Sequence, residues 1–453
     1  MHERTQRAIA RMTFVFCCAL PTVATLSIIV ATWTPWWHRK ALAAIEADLS
    51  RDTGLVLQIA DFKRSSPSTW CLYRVEIYEP ETGREVARVR EIRWCDRGDE
   101  VAILLQQPEL KSSELQHTWK MIHDRFLCRP DQTVRPTELA ANDLTIHSRT
   151  GALTFVDVDA WIRPGLATGT VEANIQGIPA GYVKPTRASM SPVSVTVIRD
   201  RNGQLPSTSW VLSSGETTLP CSALAEYLPQ LESLGNEAMF SGTMRVKLAR
   251  EDWEIDLGGA RVSEIDVGQW CETRPHRCTG TAAVQLERCR IITEQGSVSV
   301  VDIAGSLRAR DGLVGGSLLR AAGQHLGLAV RGDVEASVAY DRFAIGFNLI
   351  GPLLHLTGIC NTELGFEGLG SGVALCAGGH SLAETSGHTI PAASQQATIA
   401  PPHSVMVPLS RQTSPVMKIL MPPSREVPRV PTAPPRITAK RRLQDDPSIG
   451  QPR

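Results

Sequence analysis

No charge of one sign predominates in this sequence of 453 residues, in which 47 lysines and arginines balance 47 aspartates and glutamates. Proteins that bind nucleic acid normally carry a basic excess, so the composition gives no support for that function. Catalytic signatures are also missing: there is no Gly-x-Ser-x-Gly elbow, no His-Glu-x-x-His pair and no Gly-rich phosphate loop ending in Lys-Ser or Lys-Thr. We therefore expect a non-enzymatic protein with no cofactor, no bound metal and no nucleic-acid partner.

Aromatic residues are scarce, at 5% of the chain, and there are none from His380 to Arg453. Pro, Ser, Thr and Ala dominate this segment, and its last part is basic. Such a composition cannot bury enough apolar surface to offset the entropy of ordering. The sequence thus predicts a disordered tail over residues 380–453. A solvated tail is the simpler interpretation; the alternative is weak binding to anionic polymer, lipid headgroups or envelope proteins.

The sequence contains one long apolar run, from Thr13 to Thr34, with Arg11 before it and Arg39 after it. About 22 residues at about 1.5 Å each reach about 33 Å, which is enough for a bilayer core of about 30 Å. We predict a transmembrane signal anchor over residues 13–37, with tryptophans at its far end in the headgroup region. Its marker residues are Thr13, Phe14, Ile28, Ile29, Trp33, Trp36 and Trp37.

The orientation of this anchor follows from its flanks. Arg4, Arg7 and Arg11 precede the span, so the positive-inside rule places residues 1–12 in the cytoplasm. The body is then expected on the periplasmic side of the cytoplasmic membrane. The small residues Ala41–Ala44 leave open a cleaved signal peptide, although the apolar run exceeds the usual 7–15 residues.

Residues 38–130 combine helical and strand periodicity. Leu42, Ile45 and Leu49 recur at helical spacing, and the period then changes to two from Leu55 onward. We predict helices at Lys40–Arg51 and Lys111–Cys128, and strands at Leu55–Ala60, Trp70–Glu79 and Glu85–Trp94. Short alternating runs with turn signals continue over residues 131–379. The predicted fold is mainly β: a transmembrane helix followed by an elongated antiparallel sheet, with a few short helices and the tail.

Two stretches resemble a known family. "DTGLVLQIADF" followed by "LYRVEIYEPETGREVARVREIRW", after an anchor and a short helix, is similar to the N-terminus of AsmA-like envelope proteins. "EAMFSGTMRVKLAREDWEIDLGGARVSEIDVGQW" is similar to the strand hairpins of the same family. The resemblance implies an elongated sheet with a hydrophobic groove, and a role in lipid handling or outer-envelope assembly.

A groove of this kind needs apolar side chains on one sheet face, and one predicted hairpin supplies them. The candidate residues are Val334, Val338, Phe343, Ile345, Phe347 and Leu349. An open face would shield acyl chains at about 0.8 kcal/mol per buried methylene. The alternative is a closed β-sandwich in a structural or interaction protein, in which a second layer covers this face. The two differ in whether an exposed, contiguous apolar face persists along the sheet.

Eleven cysteines are present, nine of them outside the predicted span. Cys71 and Cys95 fall near opposite positions of one predicted hairpin, so we expect proximity and a candidate disulfide. A second group comprises Cys271, His276, Cys278 and Cys289. Its spacing matches no common zinc pattern, and a disulfide between two of these cysteines is the favoured interpretation over a metal.

Overall fold

A computed structural model describes most of the chain. The described residues are 3–32, 34–128, 135–149, 151–165, 169–180, 192–203, 205–225, 229–250, 252–272, 274, 276–294, 297–332 and 337–399. Trp33 and Val334, which the sequence assigns to the anchor and to the groove, lie outside these ranges, as do residues 400–453.

The chain begins with one continuous helical stretch. It consists of α1 (Glu3–Phe14), a π-helical segment (Val15–Ala19) and α2 (Leu20–Thr32). The segment Ile9–Val30, 22 residues long, has the length and apolar composition to cross a membrane, and none of it is buried against the rest of the protein. The π-helical segment directly precedes Pro21, whose missing N–H breaks the regular hydrogen-bond ladder. The predicted anchor is therefore confirmed as a helix of sufficient length.

The tryptophans at the end of the predicted anchor belong to a second helix. Pro35 is the first residue of α3 (Pro35–Thr53), so Trp36 and Trp37 lie in its first turn, after the spanning segment has ended. A new helix therefore begins within residues 13–37, the range predicted for the anchor. Pro explains this, because its fixed φ and missing N–H suit the first turn of a helix. Gly54, with φ of 67°, ends α3 in the left-handed conformation that glycine readily adopts.

In the described part of the chain, twenty strands follow α3. They are β1 (Val56–Ser66), β2 (Thr69–Tyr78), β3 (Glu85–Asp96), β4 (Val101–Lys111), β5 (Thr137–Ser148), β6 (Gly151–Pro164), β7 (Thr170–Pro179), β8 (Val193–Asp200), β9 (Ser207–Pro220), β10 (Met239–Ala249), β11 (Asp252–Asp256), β12 (Arg261–Asp266), β13 (Thr281–Glu294), β14 (Ser297–Val314), β15 (Leu328–Val330), β16 (Val338–Ile350), β17 (Leu353–Gly358), β18 (Val373–Ala377), β19 (His380–Thr385) and β20 (Thr389–Pro391). The later helices are α4 (Leu115–Ile122), α5 (Val267–Cys271), α6 (Gly316–His325) and α7 (Ala393–Ile399).

All twenty strands join one sheet, largely in chain order. Neighbouring strands are antiparallel with one exception: β4 and β5 are parallel, with Val101 opposite Thr137. The predicted mainly β fold is therefore confirmed, and this one parallel pair makes the sheet mixed. A parallel pair needs a long crossover, and the chain between these strands supplies it as α4 flanked by Ser112–Glu114 and His123–Leu127. We call residues 112–127 the crossover segment.

The first strands form a core with α3. Leu42, Ile45 and Leu49 of the helix pack against a buried cluster that includes Ile59 and Val75. Two hydrogen bonds join α3 to β1. The Ile59 N–H donates to Glu46 Oε1 at 2.7 Å, and the Leu57 N–H donates to Ser50 Oγ at 3.5 Å. The helical stripe read from the sequence therefore buries the face that we predicted.

The last strands are covered differently, by the returning chain. Leu319 and Ala322 of α6 are buried, with Leu319 packed on the β13–β16 part of the sheet. The predicted tail begins later than residue 380, because β19, β20 and α7 occupy residues 380–399. Their Ala383 and Ala392 are each 1% exposed, which makes this segment part of the core.

Candidate functional site

One apolar row crosses the sheet from β2 to β10, with one residue from each strand. Its members are Trp70, Trp94, Ile103, Leu139, Ala160, Ile175, Val195, Leu212 and Met244, each directly opposite the next in the strand register. Residues directly opposite each other project from the same face. Eight inter-strand spacings of about 4.8 Å give a length of about 38 Å. We call this set the apolar row and its side of the sheet the inner face.

The apolar row is only partly covered. Leu139, Ala160, Leu212 and Met244 are half-buried, and Ile175 is 38% exposed. Within the core these residue types are normally fully buried, as Leu354 is at 1% exposure. A row of nine apolar side chains with this exposure has the character of a binding surface.

The opposite side, the outer face, is polar over the same strands. Asn174 donates to the Thr196 hydroxyl at 2.8 Å, and further along Arg290 pairs with Glu254 at 2.8 Å. Arg245 and Asp256 form a longer pair at 3.8 Å. The polar pairs on the outer face and the apolar row on the inner face follow from the strand period of two.

The crossover segment covers part of the inner face beside the row. The Trp119 and Trp210 rings lie 3.9 Å apart at 55°, and Leu127 is fully buried against Val171 and Val197. This contact explains why β7–β9 have a local core while the row beside it stays half-exposed. The buried Trp210 Nε1 has no hydrogen-bond partner, so a polar group remains unsatisfied under the segment.

The residues that we predicted to line a groove lie elsewhere, on β16. Leu349 is 5% exposed within a buried cluster containing Leu354 and Leu356, with Ile345 and Phe347 packed against it. Phe343 and Val338 pack against the neighbouring cluster around Leu319. Phe343, Ile345, Phe347 and Leu349 alternate along β16 and share one face, as expected. Val338 belongs to the same continuous strand, so the hairpin predicted between Val338 and Phe343 is wrong. The returning chain covers these side chains. They are core residues, and the open part of the sheet lies among earlier strands.

The candidate pair Cys71 and Cys95 is not bonded. Both are free: Cys71 lies opposite Arg93, and Cys95 lies opposite Thr69, two positions away. The Thr69 hydroxyl donates to Cys95 Sγ at 3.7 Å. The prediction of a disulfide is wrong because the hairpin register is displaced from the one the turn suggested.

The second cysteine group does contain a disulfide, between Cys271 and Cys278. His276, 5% exposed, instead contacts Ser317 Oγ at 3.0 Å and the Thr398 carbonyl at 2.9 Å, so it connects this loop to α6 and α7. Cys289 is buried and free. The prediction of a disulfide within this group is therefore confirmed.

The other buried thiols are poor nucleophiles. Burial raises the pKa of Cys221 to about 11. Burial, with the neighbouring Cys376 thiol as the next cause, raises the pKa of Cys360 to about 12. Since the thiolate is the reactive form, both groups are inert at neutral pH.

One cluster among the described residues has metal-ligand types: His123, Asp124 and Cys128, with ligand atoms within 4.8 Å of one another. Cys128 Sγ lies 3.7 Å from Nδ1 and 3.8 Å from Nε2 of His123, so the sulfur lies over the ring. A metal bound to imidazole instead lies in the ring plane, about 2.0 Å from one nitrogen. Nδ1 contacts Asp124 Oδ1 at 2.9 Å and Nε2 contacts Thr208 Oγ1 at 3.1 Å, so hydrogen bonding accounts for this arrangement.

A shallow cavity of about 450 Å³ lies along β3–β6. Its lining residues are Arg93, Cys95, Arg97, Ala102, Ile103, Leu104, Glu138, Leu139, Ala140, Asp159, Ala160 and Trp161. Arg93 pairs with Glu91 at 3.0 Å and Arg97 with Glu100, which leaves neither cation free. The lining includes one thiol, that of Cys95, and two carboxylates, those of Glu138 and Asp159.

The apolar row cannot be recognised from the sequence of any single strand, because each strand contributes only one residue to it. The alternation that marks Val193–Ile198 as a strand gives its apolar face, but not which residue of β7 or β9 lies opposite Val195. That information is in the register alone. Comparison with protein families, with curated proteins and with solved structures finds no match to this chain.

Proposed function

We propose that this protein is a non-enzymatic, membrane-anchored envelope protein that handles lipid, or assists outer-envelope assembly, through its apolar row. The carrying observation is the unbroken row of nine apolar residues, none of which is fully buried. Its length of about 38 Å exceeds the depth of one bilayer leaflet, about 15 Å, so an entire acyl chain fits along it. Each methylene shielded contributes about 0.8 kcal/mol.

The anchor supports the same function. Ile9–Val30 is long and apolar enough to span a membrane, and α3 connects it directly to the sheet. Arg7 precedes this segment and Arg11 lies in its first turn. Positive charge at this end favours a cytoplasmic N-terminus and a body on the periplasmic side of the cytoplasmic membrane. The resemblance of the N-terminal hairpin to AsmA-like proteins agrees with this role. Protease added to spheroplasts should digest the body and spare an N-terminal tag; protection of the body would contradict the orientation.

The alternative, a structural or interaction protein of the envelope, is favoured by one observation: the β13–β19 region is closed, with Leu354 and Cys376 at 1% and 0% exposure. In that case the row would bind a protein partner instead of lipid.

Photocrosslinking distinguishes these functions with a matched pair of positions. Ile175 on the inner face and Ile198 on the outer face have similar exposures, 38% and 36%, on adjacent strands. A benzophenone amino acid at Ile175 of the full-length protein in cells should yield lipid adducts, and one at Ile198 should not. Protein adducts from Ile175 would favour the alternative. Equal lipid labelling at both positions, or none at Ile175, would overturn the lipid proposal.

A further inference from the structure

The apolar row ends, on the side of β1, in an aromatic and cationic group. Arg64 of β1 lies directly opposite Trp70, which lies opposite Trp94, so all three belong to the inner face. The Arg64 guanidinium carbon is 4.7 Å from the centre of the Trp70 ring. We call these three residues the anchor-side end.

Contacts with α3 hold this end close to the membrane. The His38 ring stacks on Phe62, with centroids 4.7 Å apart and planes within 8°, and its Nε2 lies 2.9 Å from Asp61 Oδ1. Between Val30 and His38 the chain makes helical steps of about 1.5 Å and only three connecting steps of about 3.5 Å, so their α-carbons lie within about 18 Å. Phe62 is two residues before Arg64, which places the anchor-side end within reach of the headgroup region.

Arg64 is a cation that is held in place without a counter-charge. Its Nε donates to the Ser66 carbonyl at 3.2 Å and its Nη2 to the Pro67 carbonyl at 2.7 Å. These bonds use two of five N–H groups, so three remain available. Among the described residues no carboxylate pairs with it, and the side chain is exposed. A fixed guanidinium with free donors matches the geometry of a phosphate group.

We propose that Arg64 binds the phosphate of an anionic phospholipid whose acyl chain lies along the apolar row. This inference rests on the proposed function and adds the class of headgroup. Trp70 and Trp94 lie between the charge and the aliphatic part of the row, where amphipathic rings suit the boundary between headgroup and chain. Arg64 thus binds the charged headgroup of the lipid, and the apolar residues beyond Trp94 contact its acyl chain.

A matched control exists on the outer face. Arg163 lies over Trp161, 3.8 Å from the ring centre, in the same type of cation–π contact, and no carboxylate pairs with it among the described residues. Arg163 lies opposite Glu172 and points away from the apolar row. Arg64→Gln and Arg163→Gln each remove one positive charge and one cation–π contact. Only Arg64→Gln removes them at the end of the apolar row.

The experiment uses the full-length protein in maltoside micelles and two photoactivatable lipids. One is a phosphatidic acid with a diazirine on an acyl chain, and the other is the diacylglycerol with the same chains. We expect Arg64→Gln to reduce labelling by the phosphatidic acid about tenfold or more, the range of a lost charged hydrogen bond. Diacylglycerol labelling should stay unchanged, and Arg163→Gln should change neither. The thermal transition should be that of the parent, because Arg64 is exposed.

The outcomes separate this inference from the proposed function. Labelling by both lipids that is insensitive to Arg64→Gln would overturn the headgroup site and leave the lipid function standing. No labelling of the parent by either lipid would overturn both. Displacement of the phosphatidic acid by excess inorganic phosphate would show a site for free phosphate and overturn the assignment to a lipid. Equal losses in Arg64→Gln and Arg163→Gln would show a non-specific charge effect and also overturn it.

Discussion

Apolar and polar side chains alternate along the strands at both ends of the sheet. The two ends differ in how much of the inner face is covered by other parts of the chain. Over β13–β17 the inner-face residues Leu349, Leu354 and Leu356 are at most 5% exposed. Over β4–β10 the corresponding residues Leu139, Leu212 and Met244 stay half-buried. Both regions alternate apolar and polar side chains as strands do. The alternation of side chains therefore determines whether a face of the sheet is apolar or polar. It does not determine whether another part of the chain packs on that face.

The difference comes from the path of the chain. Beyond β14 the chain returns over the sheet as α6, and the end of the described chain adds β19, β20 and α7. Over the earlier strands the crossover segment reaches Trp210, and the residues of the apolar row stay half-buried or, at Ile175, exposed. A closed core stabilises the fold, and an open face keeps surface available for binding.

Removing the cover is expected to have the largest effect. Truncation after Gly379 deletes β19, β20 and α7, including the buried Ala383 and Ala392, so we expect a loss of about 4 kcal/mol or more of unfolding free energy. The composition of residues 380–453 alone predicts that this truncation leaves the stability unchanged. Truncation after Ile399 is the control and should leave the transition unchanged. Denaturant unfolding of both proteins measures this; coincident curves would show that the cover contributes nothing.

The second prediction compares two leucines on the same face. Leu354→Asp buries an unpaired carboxylate and should cost several kcal/mol. Leu212→Asp lies in the open row, where water solvates the charge, and should cost about 1 kcal/mol or less in the lipid-free protein. Midpoints of urea unfolding provide the measurement. Similar losses at both sites would mean that the row is covered, and would contradict the comparison.

The smallest effect concerns pH, in the closed region only. The pKa of Cys360 is raised from 9.0 to about 12, so the folded protein holds this proton more tightly than the unfolded chain. Stability from this group is complete below about pH 9 and is lost progressively between about pH 9 and pH 12. We expect Cys360→Ala to flatten the decline of unfolding free energy between about pH 9 and pH 11 relative to the parent. Parallel pH curves for the two proteins would refute the assignment.

Local patterns predicted several elements correctly, since their causes are local. The stripe Leu42, Ile45 and Leu49 fixes the buried side of α3, and the chain turns at Gly54 because glycine accepts a positive φ. The close pair Cys271 and Cys278 formed its disulfide within one short loop. Cys71 and Cys95 failed as a pair because their distance depends on a register that the turn did not fix.

By itself the sequence determined that an N-terminal apolar helix is long enough to span a membrane, the β-rich class and which residues of each strand share a face. These follow from apolar run length and from a side-chain period of two. Only the tertiary structure decided that nine apolar residues from β2 to β10 form one row, and that Phe347 is covered while Ile175 is not. The physical reason is that register and cover depend on contacts between residues far apart in the chain, which no local pattern encodes.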